Sequence, residues 1–331
     1  MPIILDAMGS DKYPQPEIEG ALSAAKLIEN DIILVGDEKL IHTKLNALAG
    51  DHKGISIVHA PEVVDMWDKP VESAKSKPNN SMAVGLGLVK EGYGNAFVTA
   101  GNTGGAMFNA MRVLGRIKGV QRPVLTSLFP TRKTPCIVGD IGANADCRPE
   151  FLEQFAFLES VYAKNVLGNK NPRVGLLSNG EEAGKGNQLV KEAFQILSKN
   201  KINFIGNVEP KEIFGGEVDV VVCDGFTGNV FLKSSEAVAK MLMDILRVEL
   251  MRTFTSKIGA FLAKPAFKNV KRLMDPGEVG AAPLLGVDGL VFIGHGRSDP
   301  RAIISALLMA DKAIRTGLLT DMRTIASENF A

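Results

Sequence analysis

The chain of 331 residues contains only three cysteines, Cys136, Cys147 and Cys223, at wide and irregular spacing. An odd number at such spacing fits neither a disulfide framework nor a zinc-ligand pattern, so buried free thiols are expected. The N-terminus lacks a basic region followed by a long apolar run, which argues against a signal peptide. No apolar run reaches the roughly 18 residues that a membrane-spanning helix needs. These absences favour a cytoplasmic protein.

A strong charge of one sign is also missing, because the formal net charge is only +1. Overall charge therefore predicts no nucleic-acid partner, and any electrostatic partner must be recognised by a local patch. At roughly 150 residues per domain, the length allows two domains or one large unit. We interpret residues 1–331 as a single unit.

Short apolar runs typical of strands alternate with helical patterns along the whole chain. Ile3-Ile4-Leu5 reads as a strand, and residues 17–28 have apolar side chains at helical spacing. Such alternation predicts a three-layer α/β/α fold, with a mostly parallel sheet covered by helices on both faces. Ligands of these sheets bind at the carboxyl ends of the strands, so we expect the strand-end loops to share one edge.

Six strand-end loops are rich in Gly, Asn and Asp. They begin at Asp6, Ala100, Asp140, Asn179, Asp224 and Gly294. Glycine lets the backbone approach a ligand closely, and helix N-termini offer free N–H groups to an anion. Any one of these loops could simply turn the chain. Six together predict a polar crevice that binds phosphate and a developing oxyanion.

Familiar nucleotide and nucleophile motifs fail on inspection. The run Gly180 to Gly186 resembles a Walker loop but is one residue short, and no Ser or Thr follows Lys185. Gly85-Leu86-Gly87 lacks the remainder of a dinucleotide fingerprint and lies in a helical pattern. There is no G-x-S-x-G elbow and no cluster with metal-ligand spacing. Enzymes that use ATP, NAD or a serine nucleophile are therefore disfavoured.

Charged candidates for a site are few. Lys185 lies between two glycines at a predicted helix start, where it is either a solvated lysine or a cation for phosphate or a carbonyl oxygen. His295 follows an apolar strand and is either a core histidine or a catalytic one. Asp6, Asp140 and Asp224 each end a strand and could orient Lys185 or cap the next helix.

Residues 245–278 form a basic amphipathic segment. Phe254, Ile258, Phe261 and Leu262 share one helical face, and Phe267 continues it. Seven basic residues stand between positions 247 and 272 against one acidic residue. A basic amphipathic helix can lie in an anionic membrane interface. Packing in a dimer, or attraction of an acidic carrier protein, are alternatives for the same pattern.

Taken in order, the loops resemble those of the bacterial phosphate acyltransferase family, also called acyl-ACP:phosphate transacylase. The matching stretches begin with Asp6-Ala7-Met8-Gly9, Ala100-Gly101-Asn102-Thr103-Gly104 and Gly142-Ala143-Asn144, and continue with Gly180-Glu181-Glu182, Lys185-Gly186-Asn187, residues 221–229 and Ala282-Pro283-Leu284-Leu285-Gly286. They span nearly the whole chain. Ser10, Ser178-Asn179, Ala281 and Arg297 depart from the usual pattern, which leaves the fine shape of those loops open.

The resemblance implies that phosphate attacks an acyl thioester on acyl carrier protein and gives acyl phosphate for glycerol-3-phosphate acylation in phospholipid synthesis. It implies no metal or organic cofactor. It also implies a homodimer related in fold to phosphate acetyltransferases and isocitrate-type dehydrogenases. The expected location is the cytoplasm, peripherally on the inner face of the membrane, beside a glycerol-3-phosphate acyltransferase. The segment 245–278 would protrude from the fold and make the membrane contact.

Within this reading, Lys185 carries the phosphate or oxyanion charge, and Asn229 donates to the thioester carbonyl or to phosphate. Asn102, Thr103 and Gly104 complete the anion cradle. The further substrate- or phosphate-binding residues are Asp6, Gly9, Gly101, Asn144, Asn187, Asp224, Thr227, Gly228 and His295. The predicted membrane contacts are Phe254, Ile258, Phe261, Leu262 and Phe267.

Three competing interpretations remain open at this point. One is a phosphate acetyltransferase that uses CoA thioesters. Another is a dehydrogenase of the related fold, although its metal carboxylates and nucleotide loop are not visible in the sequence. The third is a non-catalytic membrane scaffold for a partner acyltransferase.

Overall fold

A computed structural model describes residues 1–48, 52–273 and 280–330, without the side chains of residues 271–273. The strands are β1 Ile3–Asp6, β2 Ile32–Gly36, β3 Ile55–His59, β4 Ala96–Thr99, β5 Val124–Phe129, β6 Cys136–Gly139, β7 Val174–Leu177, β8 Phe204–Val208, β9 Val220–Val222, β10 Ala281–Leu285 and β11 Leu290–Gly294.

The helices alternate with the strands over most of the chain. They are α1 Gln15–Ala24, α2 Glu38–Ala47, α3 Pro70–Ser76, α4 Ser81–Lys90, α5 Thr103–Val113, α6 Pro149–Tyr162, α7 Gln188–Leu197, α8 Pro210–Gly215, α9 Gly225–Leu250, α10 Phe254–Leu262, α11 Lys264–Leu273, α12 Pro300–Arg315 and α13 Leu318–Asn329. A π-helical turn, Ala163–Leu167, extends α6. Among the described residues, no helix is both long and apolar enough to span a bilayer.

One sheet of eleven strands runs through the molecule in the order β3-β2-β1-β4-β11-β10-β5-β6-β9-β7-β8. Most neighbouring strands are parallel, as expected, but β10 is antiparallel to β11 and to β5, and β5 is antiparallel to β6. Because these three reversals lie in the middle of the sheet, the strands from β6 to β8 point opposite to β1, β4 and β11.

The core has two halves, one on each face of the sheet. Side chains alternate between faces along a strand, so Ile3 and Leu5 pack in one hydrophobic cluster while Ile4 packs in the other. Helices α1, α6, α7 and α12 cover the first face, and α4 and α5 cover the second. This arrangement confirms the predicted three-layer α/β/α fold.

The segment from α9 to α11 differs from the rest of the molecule in its burial. Along the 26 residues of α9 only Gly225 and Gly228 are buried, and in α10 only Ala260 is. Large apolar side chains such as Phe254 and Phe261 are exposed. Over residues 245–273 this burial agrees with the predicted protruding segment. Residues 274–278 of that segment lie outside the described residues.

The sequence patterns did not predict every element, and β10 and α13 are examples. The short strand β10 contains Pro283, a residue that normally argues against a central strand. Helix α13 follows α12 after Gly317, whose φ of 69° lies in the left-handed region. Because glycine adopts that conformation readily, the chain can turn at Gly317 and begin a second helix.

Glu159 on α6 is a buried carboxyl without a partner. Neither of its oxygens finds a hydrogen bond within the described part of the chain. Burial, together with the nearby charge of Asp140, raises the pKa of Glu159 well above its usual range. The folded protein therefore holds a proton that the unfolded chain releases above its ordinary pKa of 4.5.

A raised pKa in the folded state gives stability that is complete below the unfolded pKa and is lost as pH rises through the folded pKa. Replacing Glu159 by glutamine should therefore flatten the fall of unfolding free energy as pH rises above 4.5, by up to about 1.4 kcal/mol per pH unit. Denaturant unfolding at several pH values measures this slope. Glu150→Gln, an exposed change on the same helix, is the control. Equal slopes for Glu159→Gln and the parent protein would contradict the assignment.

Candidate active site

A groove of about 980 Å³ lies between α9 and the second face of the sheet. Its polar lining comprises Thr103, Ser127, Asn229, Lys233, Ser234, Ser235, Glu236 and His295, and its apolar lining includes Met107, Leu125, Ile141, Leu232, Ala239, Ala282 and Ile293. The volume is within the range of small-molecule sites, and so is a mainly apolar lining with few polar groups. We therefore treat this groove as the candidate active site.

The loop after β1 packs against the loop after β4. Asp6 is fully buried, and its carboxylate accepts hydrogen bonds from Thr99 Oγ1 at 2.7 Å and from the Met8 N–H at 3.0 Å. Burial raises the pKa of Asp6. A Cβ on Gly9 would lie 2.8 Å from the Gly101 nitrogen, so only glycine allows the two loops to approach this closely. Asp6 and Gly9 are not part of the groove lining.

The start of α5 forms part of the groove wall. Asn102 caps this helix, because its Oδ1 accepts from the Gly105 N–H at 2.9 Å. Its Nδ2 donates to the Met66 carbonyl at 3.0 Å. Both ends of the Asn102 amide are therefore already hydrogen-bonded within the protein. Thr103 and Gly104 line the groove. The first turn of α5 can thus offer backbone N–H groups to an anion.

A second loop, after β6, is organised around Asp140. Its buried carboxylate accepts from the backbone N–H groups of Gly142, Ala143 and Asn144 at 3.0, 2.8 and 2.6 Å. The Asn144 amide donates to the same carboxylate and to the Pro123 carbonyl. These contacts occupy Asn144 and hold Gly142 and Ala143 at the groove wall.

The first turn of α9 brings Asn229 to the groove. Asp224 caps the helix by accepting from the Thr227 N–H at 2.8 Å and from the Thr227 hydroxyl at 2.7 Å. A Cβ on Gly228 would lie 1.9 Å from the Asp140 carbonyl oxygen, so this position tolerates only glycine. Asn229 lines the groove beside Gly142. Asp224 and Thr227 therefore stabilise the helix start, whereas Asn229 lines the groove.

Lys185 lies outside the groove lining. It is exposed in the loop after β7, where its N–H donates to the Glu182 carbonyl at 2.9 Å. Asn187 caps α7 by accepting from the Val190 N–H at 3.0 Å. This loop follows a strand that points the same way as β6 and β9. Within one chain, the structure does not bring Lys185 into the groove with Asn229.

His295 and Glu236 meet across the groove. His295 Nε2 lies 3.9 Å from Glu236 Oε1, and Lys233 Nζ lies 3.6 Å from Glu236 Oε2. Burial is the main cause that lowers the pKa of His295, so the neutral imidazole is favoured near neutral pH. The sequence reading missed Glu236. Glu236 follows Asn229 by seven residues, so the two lie on one face of the helix. This spacing could have identified Glu236 as a site residue from the sequence.

The expectation that all six loops share one sheet edge is wrong. The antiparallel strands β10 and β5 reverse the direction of the sheet, so β4 and β11 end opposite to β6 and β9. The groove nevertheless joins both groups of strand ends. On α9, Asn229 lies beside Gly142, and Glu236, two turns further along, lies near His295. The site therefore extends across a sheet face between two sets of strand ends.

Comparison with known sequences identifies the family of the chain. A family described as "Fatty acid synthesis protein" matches residues 1–320. A relative from Elusimicrobium minutum, named Phosphate acyltransferase, is 46% identical over 329 residues, covering 99% of this chain and 96% of its own. The relative of the same name from Acidobacterium capsulatum is 47% identical, covering 96% of this chain and 94% of its own. The chain belongs to the phosphate acyltransferase family. It is therefore an enzyme of the acyltransferase class, as the loops predict.

Solved structures of low sequence identity share the fold. The EutD phosphotransacetylase from Staphylococcus aureus superposes with a TM-score of 0.59 at 18% identity, covering 96% of this chain and 94% of its own. A phosphotransacetylase from Streptococcus pyogenes gives 0.61 at 17% identity, covering 95% and 94%. At this identity the likeness concerns the fold alone. It confirms the predicted relation of this phosphate acyltransferase family member to the phosphate acetyltransferase fold.

Proposed function

We propose that the protein transfers a long-chain fatty acyl group from acyl carrier protein to inorganic phosphate. The acyl phosphate would then supply glycerol-3-phosphate acylation in phospholipid synthesis. The observation that carries this proposal is the groove itself, in which polar groups at Thr103, Asn229 and His295 adjoin an apolar lining. Such a lining fits a fatty acyl thioester, which has a polar carbonyl at its reacting end and a long hydrocarbon chain, together with phosphate as the anionic co-substrate. Family membership supports the transfer of an acyl group to phosphate.

The proposed chemistry needs positioning and charge stabilisation more than a protein nucleophile. Phosphate is an anionic nucleophile at neutral pH, and a thiolate is a fair leaving group. In the proposed arrangement the first turn of α5, at Thr103 and Gly104, holds phosphate through backbone N–H groups. Asn229 donates to the thioester carbonyl, whose oxygen becomes negative in the transition state. Lys185 lies outside this groove within one chain, so in the proposed arrangement its positive charge reaches phosphate or that oxygen from the second copy of the chain.

The proposal is tested by incubating the protein with palmitoyl thioesters and phosphate and measuring acyl phosphate. Palmitoyl acyl carrier protein is compared with palmitoyl-CoA at equal concentration. We expect acyl phosphate to form only when phosphate is present, and to form faster from palmitoyl acyl carrier protein than from palmitoyl-CoA. Preference for CoA would overturn the choice of donor. Absence of product with both thioesters would overturn the proposed reaction.

We also propose that the protein is a homodimer that lies on the inner face of the membrane, near a glycerol-3-phosphate acyltransferase. The exposed apolar side chains of α10 support a membrane contact, since Phe261 and Leu262 are 75% and 73% exposed. Basic residues beside them, among them Lys257 and Lys264, would add attraction to anionic lipids of about 1 kcal/mol each. Phe254, Ile258 and Phe267 complete this proposed surface.

Changing Phe261 and Leu262 together to glutamate should weaken binding to anionic vesicles by at least about tenfold. Each of these side chains contributes roughly 1.5–3 kcal/mol when it leaves water, and a carboxylate is also repelled by the lipid. Vesicle co-sedimentation measures the change. Leu27→Glu, at an exposed leucine in the turn after α1, is the control. Equal binding by the double variant and the control would contradict a contact through α10.

A further inference from the structure

The groove beneath α9 is kept open by small residues on both of its walls. The half-buried positions of α9 recur at helical spacing and face the body of the protein. Among them Ser235 and Ala239 lie one turn apart and line the groove. On the side of the sheet the same groove is lined by Ser127 and Ala282. Larger side chains at these places would let α9 pack on the sheet as the other helices do.

The apolar walls of this groove are open to solvent, which costs free energy in proportion to the apolar area that water contacts. Helix α9 stands off the sheet, and beyond Gly228 none of its side chains is fully buried. A ligand that is apolar where it meets these walls would remove them from water, as packed helices do for the rest of the sheet.

The chemistry of the lining selects the ligand. The walls are formed by apolar side chains such as Met107, Leu125, Leu232 and Ile293. Polar and charged groups that can meet the reacting end lie along the same groove, among them Thr103. A molecule that is apolar over most of its length and polar at one end matches both features.

We propose that the space between α9 and the sheet binds the fatty acyl chain of the thioester substrate, and that Ser235 and Ala239 determine the length of chain that fits. This assignment rests on the proposed function and adds the location of the chain. Along α9 the lining extends from Asn229 to Leu242, which is about 20 Å at 1.5 Å per residue. A saturated chain of about 16 carbons reaches a similar length, since C–C bonds of about 1.5 Å advance roughly 1.3 Å each.

The test compares two alanines of α9 that lie two residues apart. Ala239 lines the groove, whereas Ala237 is exposed on the outer side of the helix. Each is changed to phenylalanine, and initial rates are measured with octanoyl and palmitoyl thioesters of acyl carrier protein. In Ala239→Phe the ratio of palmitoyl to octanoyl rate should fall at least tenfold, because the ring fills the chain's space. In Ala237→Phe the ratio should stay within twofold of the parent protein.

Binding of a fluorescent long-chain fatty acid separates this assignment from the proposed function, because it requires no turnover. Ala239→Phe should weaken the binding of the probe at least tenfold, and Ala237→Phe should leave it unchanged. If Ala239→Phe is poorly folded, Ala239→Leu provides the same comparison with a smaller side chain. An unchanged rate ratio and unchanged probe binding in the Ala239 variants would overturn the assignment. Altered oligomeric state with an unchanged rate ratio would also overturn it, and would favour a second copy of the chain as the occupant.

Discussion

Replacing Asn229 by alanine is expected to lower the rate of acyl phosphate formation by about 10²–10³, the usual loss for one donor to a developing oxyanion. The side chain lies at the groove, beside Gly142, and follows directly after the closely packed Gly228. Its position is therefore defined by the backbone, and truncation to alanine removes only the amide. The rate is measured under saturating phosphate and palmitoyl carrier protein, with circular dichroism to confirm the fold.

Lys185→Ala is expected to cause a loss of the same order, through the charge rather than through packing. Lys185 is exposed, so the change should leave the unfolding free energy within about 0.5 kcal/mol of the parent protein. Lys191→Ala, at an exposed lysine of α7, is the matched control and should keep full activity. Near-normal turnover in both Lys185→Ala and Asn229→Ala would refute the proposed roles. A loss confined to Asn229→Ala would remove Lys185 from the site, in line with its place outside the groove.

Replacing Asp140 by alanine is expected to have the largest effect on stability, at roughly 3 kcal/mol or more. The carboxylate accepts from three backbone N–H groups and from the Asn144 amide, and each buried donor left without a partner costs about 1–3 kcal/mol. Because the same loop carries Gly142 to the groove, activity should fall with it. Denaturant unfolding and the acyl phosphate assay measure the two losses.

Asp224→Ala is the comparison for this prediction. Asp224 also follows a strand, but its carboxylate caps α9 at the surface, where a lost cap costs about 1 kcal/mol. The unfolding free energy of Asp140→Ala should therefore drop by at least about twice that of Asp224→Ala. If both variants lost the same small amount, the Asp140 network would not be what holds the loop.

Several side chains that the sequence suggested for phosphate are engaged elsewhere in the structure. Asn102, Asn187 and Asp224 are helix N-caps, and Asn144 holds Asp140. The physical reason is that Asn and Asp are preferred both at helix starts and at anion sites, and a strand-end loop commonly provides both. Sequence alone cannot separate the two uses. The structure separates them, because a capping oxygen already accepts a backbone N–H at about 3 Å.

The amino-acid sequence by itself determined the family and the alternation of strands and helices, and it predicted the amphipathic segment at residues 245–278. These features depend on local spacing and on short motifs that can be read in one dimension. Only the tertiary structure decided which loops come together. The antiparallel strands β10 and β5 reverse the sheet, and α9 crosses from Gly142 to His295 to join its two halves. Pairing between distant strands and the space left by Ala239 depend on contacts far apart in sequence, and no local pattern records them.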